Sequence, residues 1–190
     1  KNASGHFIHT DLKKMYPGYS FDMGKSTYKG HDVGEGGFVY AEPGVYSNVV
    51  VLDIASMHPT SLIEMRCFGR YTDNYKALMD ARLMIKHGEY EEAKKMFGGA
   101  LEKHLTDTDK AKQLSYALKI VINIVYGLTA ASYTNPFTIP GNKDNIVAKR
   151  GALFMVDLLH AVQDRGFTVM HIKTDSIKIP NATPEIIEFV

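Results

Sequence analysis

The chain has a single cysteine, Cys67, so no internal disulfide can form and a disulfide scaffold is excluded. A surplus of either charge is also missing: 22 Lys and Arg stand against 21 Asp and Glu, for a net charge of +1. No sequence-wide basic field therefore announces nucleic acid or an anionic membrane as a partner. Long hydrophobic runs are absent. The longest, around 48–52 and 120–125, fall far short of the roughly 20 residues that span a bilayer. Nothing at the N-terminus reads as a signal peptide, and the chain opens at Lys1 without a methionine. The expectation is a soluble, intracellular protein with no membrane partner, with room for a larger parent chain. What is present suffices for a folded core. Hydrophobic residues make up 45% of the 190, which excludes a disordered chain and allows one domain, with or without a projecting subdomain.

Residues 1–36 are rich in Gly, Tyr and Lys with little periodicity and read as mostly irregular. After Gly36-Gly37, Phe38-Val39-Tyr40 reads as a short strand. The β-branched run at 48–53 has the pattern of a buried strand and ends in a carboxylate, Asp53. Pro59 suits the first turn of a helix to about Arg66. From 74 to 97, Leu78, Met79, Leu83 and Met84 recur at helical spacing, broken by Gly98-Gly99. Residues 106–109 then cap a second long helix, 110–131, and the two form an antiparallel hairpin over a short connection. Pro136 and Pro140-Gly141 precede a third helix, 143–164, closed by Gly166. Strands at 167–172 and 177–179 make a β-hairpin with an acid at its tip, and Pro184 opens a last helix. The fold class is α+β with a helical insertion.

Two carboxylates stand where strands end or turn, Asp53 and Asp175. An acid after four apolar residues is costly to bury without a partner or a metal. Mg²⁺ takes a few carboxylates plus substrate phosphates, so two acids on adjacent strands suit it. The plainer reading makes Asp53 a helix cap and Asp175 a turn former. Arg82 and Lys86 share a helix face, as do Lys119 and Asn123 with Tyr126 a turn further on, and such cations suit a triphosphate or a solvated surface. Three features mislead. Gly24-Lys25-Ser26 lacks the first glycine of a phosphate loop, Asp107-Thr108-Asp109 fits a helix start, and the eight histidines show no zinc spacing.

Taken in order, these residues resemble the family B DNA polymerases. Asp53-Ile-Ala-Ser56-Met57-His58-Pro59-Thr-Ser-Leu-Ile63 is similar to the family's first catalytic motif, and the Gly36-Gly37 segment to the one before it. Lys119-Ile-Val-Ile-Asn123-Ile-Val-Tyr126-Gly127 matches the second, Lys-x-x-x-Asn-x-x-Tyr-Gly. Arg82-x-x-x-Lys86 resembles the cationic pair of the first fingers helix, and Thr174-Asp175-Ser176 the end of the third motif. The resemblance covers about residues 34–180. It implies an α+β palm, an antiparallel sheet backed by helices, with an inserted two-helix fingers hairpin. The implied layout is an irregular segment 1–35, palm 36–70 and 132–190, and fingers 71–131, with thumb and exonuclease absent.

It further implies that Asp53 and Asp175 bind two Mg²⁺ ions, or Mn²⁺ as a substitute, roughly 3.5–4 Å apart. Arg82, Lys86 and the catalytic Lys119 would neutralise the dNTP triphosphate, Asn123 and Tyr126 would face the nascent pair, N–H groups around Ser56 and Met57 would cradle phosphates, and His58 and Gly127 would complete the nucleotide site. The partners implied are primer–template DNA, dNTP and the absent thumb and exonuclease regions. Two departures stand out. Lys173 replaces the third motif's first acid, with His171 where that motif has a Tyr, and His58 replaces a Tyr that excludes ribonucleotides. An alternative reading is thus a degenerate palm that binds nucleic acid or a partner without catalysis. Without a thumb, little processive synthesis is expected. The 66 residues from Asp53 to Lys119 make a compact fingers region, which points to a viral parent acting in a host cytoplasm.

Overall fold

The computed structural model describes residues 8–139, 142 and 144–190. Pro140, Gly141 and Lys143, read above as a break and a helix start, lie outside the described residues, as does 1–7. The chain first forms α1 (His9–Met15), β1 (Ser20–Asp22), β2 (Lys25–Tyr28), β3 (His31–Val33), β4 (Val39–Ala41), β5 (Val49–Asp53) and α2 (Met57–Glu64). Then come α3 (Thr72–His87), α4 (Tyr90–Lys95) and α5 (Thr108–Thr129), with one 3₁₀ turn before α3 and two between α4 and α5. The last elements are α6 (Ile146–Gln163), β6 (His171–Lys173), β7 (Ser176–Pro180) and α7 (Pro184–Phe189). The fold is α+β with antiparallel sheets, and no described helix is long and apolar enough to cross a membrane. Two compact units divide it: Lys1–Ser61 with Pro140–Val190, and Leu62–Ile139. The second contains the segment 71–131.

In the first unit, four strands pair antiparallel in the order β4-β6-β7-β5. Side chains alternate between its faces. The cross-strand row Tyr40, Ile172, Ile177 and Leu52 turns to the core, where Ile172, Ile177 and the neighbouring Ile179 are fully buried. Each such burial contributes on the order of 1.5–3 kcal/mol. The next row, Val39, Lys173, Ser176 and Asp53, faces the other way. Helix α6 is apolar around most of its circumference, so it is a core element: Leu153, Met155, Val156, Leu159 and Val162 are all buried. Strand β6 is shorter than the apolar run 167–172 suggests. Only its last residues pair, and before them Met170 still donates to the Lys178 carbonyl at 3.0 Å.

From residue 8 onward the N-terminal stretch is not irregular, contrary to the sequence expectation. Strands β1, β2 and β3 form a three-stranded antiparallel sheet. Its two hairpins turn through Met23-Gly24 and Lys29-Gly30, and all four residues have positive φ (45°, 79°, 47° and 80°). Such two-residue turns match the twist of the strands they join, with glycine relieving the second position. The sheet docks on α6 through polar contacts: Tyr28 Oη donates to Asp157 at 2.9 Å, and Lys29 Nζ pairs with the same carboxylate at 2.7 Å. Gly24-Lys25-Ser26 is a hairpin turn running into β2, not a phosphate loop.

In the second unit α3 and α5 run antiparallel. The Tyr75 hydroxyl, at the start of α3, donates to the Ile122 carbonyl late in α5 at 3.1 Å. Ala81 and Ile85 share one buried cluster with Ala111 and Leu118. Asp107 caps α5, its Oδ1 accepting from Lys110 N at 2.8 Å, as its sequence position indicates. Helix α3 does not reach residue 97. Gly88 adopts a left-handed conformation (φ 82°), and the Glu89 N–H turns back to the Met84 carbonyl. The connection is therefore long: α4 and two 3₁₀ turns fill it, with Ala93 and Leu105 closing the cluster.

Candidate active site

The first unit gathers Asp53, Ser56, Met57, His58 and Asp175. Asp53 ends β5 opposite Ser176, and Asp175 lies in the two-residue turn before it. Between them the Ile54 N–H donates to the Asp175 carbonyl at 2.8 Å, so the two acids share one end of one sheet. Both are exposed, and among the described residues neither carboxylate has a hydrogen bond or an ion pair. Asp53 is not the cap of α2, because Ser56 precedes that helix. Asp175 does belong to a turn.

The hairpin tip that carries Asp175 is held from the side. Thr174 takes a left-handed conformation (φ 56°), and its N–H donates to the Phe38 carbonyl at 3.0 Å. Gly37 passes so close that a Cβ there would lie 3.1 Å from Thr174 Cγ2, and its φ of 135° suits only glycine. The Gly36-Gly37 segment thus acts through contact with the tip.

The turn from β5 into α2 is tight. Ser56 has φ 53°, and its carbonyl accepts from Thr60 N at 2.8 Å, the first bond of the helix. The Met57 side chain is a core anchor, 4% exposed, against Gly151 of α6. Its backbone therefore sits at a fixed helix start just beyond the acids, where the leading N–H groups of a helix favour anions. His58 is half-buried. Burial lowers its imidazole below 6.5, and the Asp175 carboxylate opposes this. It is mainly uncharged near neutral pH.

The remaining sequence candidates lie in the second unit. Arg82 is half-buried and Lys86 exposed on α3, four residues apart. On α5, Lys119 and Asn123 are exposed and Tyr126 is half-buried, its hydroxyl pKa raised by burial, while Gly127 is open. Lys86, Lys119 and Asn123 make no hydrogen bond or ion pair among the described residues. Exposed Tyr116, Ile120 and Ile124 continue their face as an apolar stripe.

Lys173 is exposed and stands in the same cross-strand row as Asp53, with Ser176 between them. Lys178 and His171 lie on that face too; sequence reasoning gave Lys178 no role and saw His171 only as a departure from the third motif. For Lys178 the signal was the period-two alternation Ser176-Ile177-Lys178-Ile179.

Among the described residues no three His, Cys, Asp or Glu side chains converge as a metal-holding group. Two exposed carboxylates still fit Mg²⁺ or Mn²⁺, which take hard oxygen donors and fill their shells with phosphate and water. No family model matches the chain, and no curated protein matches it.

Proposed function

We propose that the chain carries the palm and fingers of a template-directed DNA polymerase, transferring deoxynucleotides to a primer 3′-hydroxyl. The observation that carries this reading is the meeting of Asp53 and Asp175, remote in sequence, at one end of one antiparallel sheet. The ordered motif set supports it. The four-stranded sheet with α6 is then the palm, and α3 with α5 the fingers.

Phosphoryl transfer needs positioned charge more than covalent help. Asp53 and Asp175 would hold the divalent ions. When bound, these neutralise charge on the attacking and leaving oxygens. The N–H groups at Ser56 and Met57 donate to phosphate oxygens. By the resemblance, Arg82, Lys86 and Lys119 would pair with the triphosphate through charge-assisted hydrogen bonds. Asn123 and Tyr126 would face the nascent pair, with Gly127 in the same nucleotide site. His58, uncharged and smaller than Tyr, stands beside the sugar and excludes a 2′-hydroxyl poorly.

The test is single-nucleotide incorporation on a primer–template with Mg²⁺ or Mn²⁺. Asp53→Asn and Asp175→Asn should each lower the rate by at least about 100-fold, the upper end of what losing even an outer-shell partner of a metal ligand costs. Their thermal midpoints should match that of the parent, because both carboxylates are exposed and unpaired. Incorporation that survives either change sinks the reading.

A second reading, a non-catalytic palm that binds nucleic acid or a partner, is favoured by Lys173 in the same cross-strand row as Asp53 and by the lack of a third acidic ligand among the described residues. Titration calorimetry with Mn²⁺ separates the two. Binding lost in Asp53→Asn supports the enzyme, and no binding by the folded parent supports the alternative.

A further inference from the structure

We propose that the open face of the four-stranded sheet is a phosphate track, holding one strand of nucleic acid by its backbone through Lys173 and Lys178. The polymerase reading supplies only the name of that strand, the primer; the track itself follows from the charge pattern.

Antiparallel register places two rows side by side on this face. One is Val39, Lys173, Ser176 and Asp53, and the other Ala41, His171, Lys178 and Val51. The two central strands thus contribute two lysines and a histidine. The acid in these rows, Asp53, sits on the outer strand at the end where Asp175 lies. Glu42 follows Tyr40 by two residues and bonds its hydroxyl at 2.9 Å, so it belongs to the opposite side.

Lys173 and Lys178 are diagonal neighbours across β6 and β7, roughly 7–8 Å apart at the backbone. Ammonium groups on four-carbon stems at that spacing can meet successive phosphates of one strand. Neither lysine has an ion pair among the described residues. The outer strands add exposed Val39 and Val51, at 65% and 54%, as apolar flanks suited to sugar rings. The two rows hold no Arg, Asn or Gln, whose planar forks give most bidentate base contacts. The chemistry is that of sequence-independent backbone binding.

Lys173 gains a function by this account. An acid at its position would put a second negative charge into the Asp53 row, whereas lysine carries the basic track up to the acids.

The experiment is fluorescence anisotropy of a labelled primer–template duplex with the 190-residue chain, in EDTA without dNTP, over a series of NaCl concentrations. Each of Lys173→Gln and Lys178→Gln should weaken binding and reduce the slope of log affinity against log salt by about 0.9, the loss of one phosphate contact. Lys173→Asp should weaken it further. Circular dichroism melts check that each variant is folded. Unchanged affinity and slope in a folded double variant overturn the proposal, as does a parent chain with no affinity for the duplex. Extension plays no part in this readout. A chain that fails to polymerise but loses binding on these substitutions keeps the track and drops the polymerase.

Discussion

Gly37 couples two distant stretches of chain through a space too small for a methyl group. Replacing it with Ala would force a Cβ to 3.1 Å from Thr174 at a φ that side chains rarely adopt. Gly37→Ala should destabilise the first unit by about 1–3 kcal/mol. The measurement is a urea midpoint, and an unchanged midpoint would show that the hairpin tip yields freely. The glycine pair was visible in the sequence, but its reason was not, because the contact lies more than 130 residues away. Asp53 and Asp175 were legible for the opposite reason: each ends or turns a strand, and local pattern alone marks such places. Lys178 went unnoticed because a lysine in an alternating strand looks like ordinary solvated surface, and only the register reveals that it shares a face with Lys173.

Among the elements, the long ones were readable and the short ones were not. Helices α5 and α6 follow from capping and apolar periodicity sustained over several turns. Strands β1, β2 and β3 have three or four residues each, too few for a period to stand out. Their turns, Met23-Gly24 and Lys29-Gly30, carry glycine without the usual Asn or Asp before it. The early end of α3 is a matter of one residue: Gly88 costs up to about 1 kcal/mol inside a helix and nothing in a left-handed cap, a margin that packing can override in a long periodic run. The junction of α2 with α6 is testable. A Cβ on Gly151 would lie 2.6 Å from the Met57 sulfur, so Gly151→Ala should cost about 1–3 kcal/mol by overpacking. Pairing it with Met57→Ala, which vacates the space, should return part of that loss. Strictly additive midpoints in the double variant would deny the contact its importance.

At the scale of the molecule, acid is the vulnerable side. Burial lowers the imidazoles of His9, His31 and His58 from 6.5, with Asp144 opposing at His9, Asp175 at His58, and His160 adding to the effect at His31. The unfolded chain therefore binds more protons than the folded one just below that value. Stability is full above pH 6.5 and is lost as pH falls through the folded values. Thermal melts at pH 7.5 and 5.5 should show a lower midpoint at 5.5, and His31→Gln should flatten the difference. Equal midpoints would remove the histidines from the account.

The first unit is assembled from both ends of the chain, and this shapes its birth. Strand β5 has one neighbour in the sheet, β7, which leaves the ribosome more than a hundred residues later. Meanwhile 62–139, continuous and helical, has everything it needs for its own core. Local contacts form fast and distant pairings slowly. A nascent chain at this stage carries a finished helical unit behind an unpaired β-branched strand, an open template for any other strand that arrives first. A pause in translation beyond residue 139 prolongs that exposure, so the codons that follow bear on solubility as much as the residues they encode.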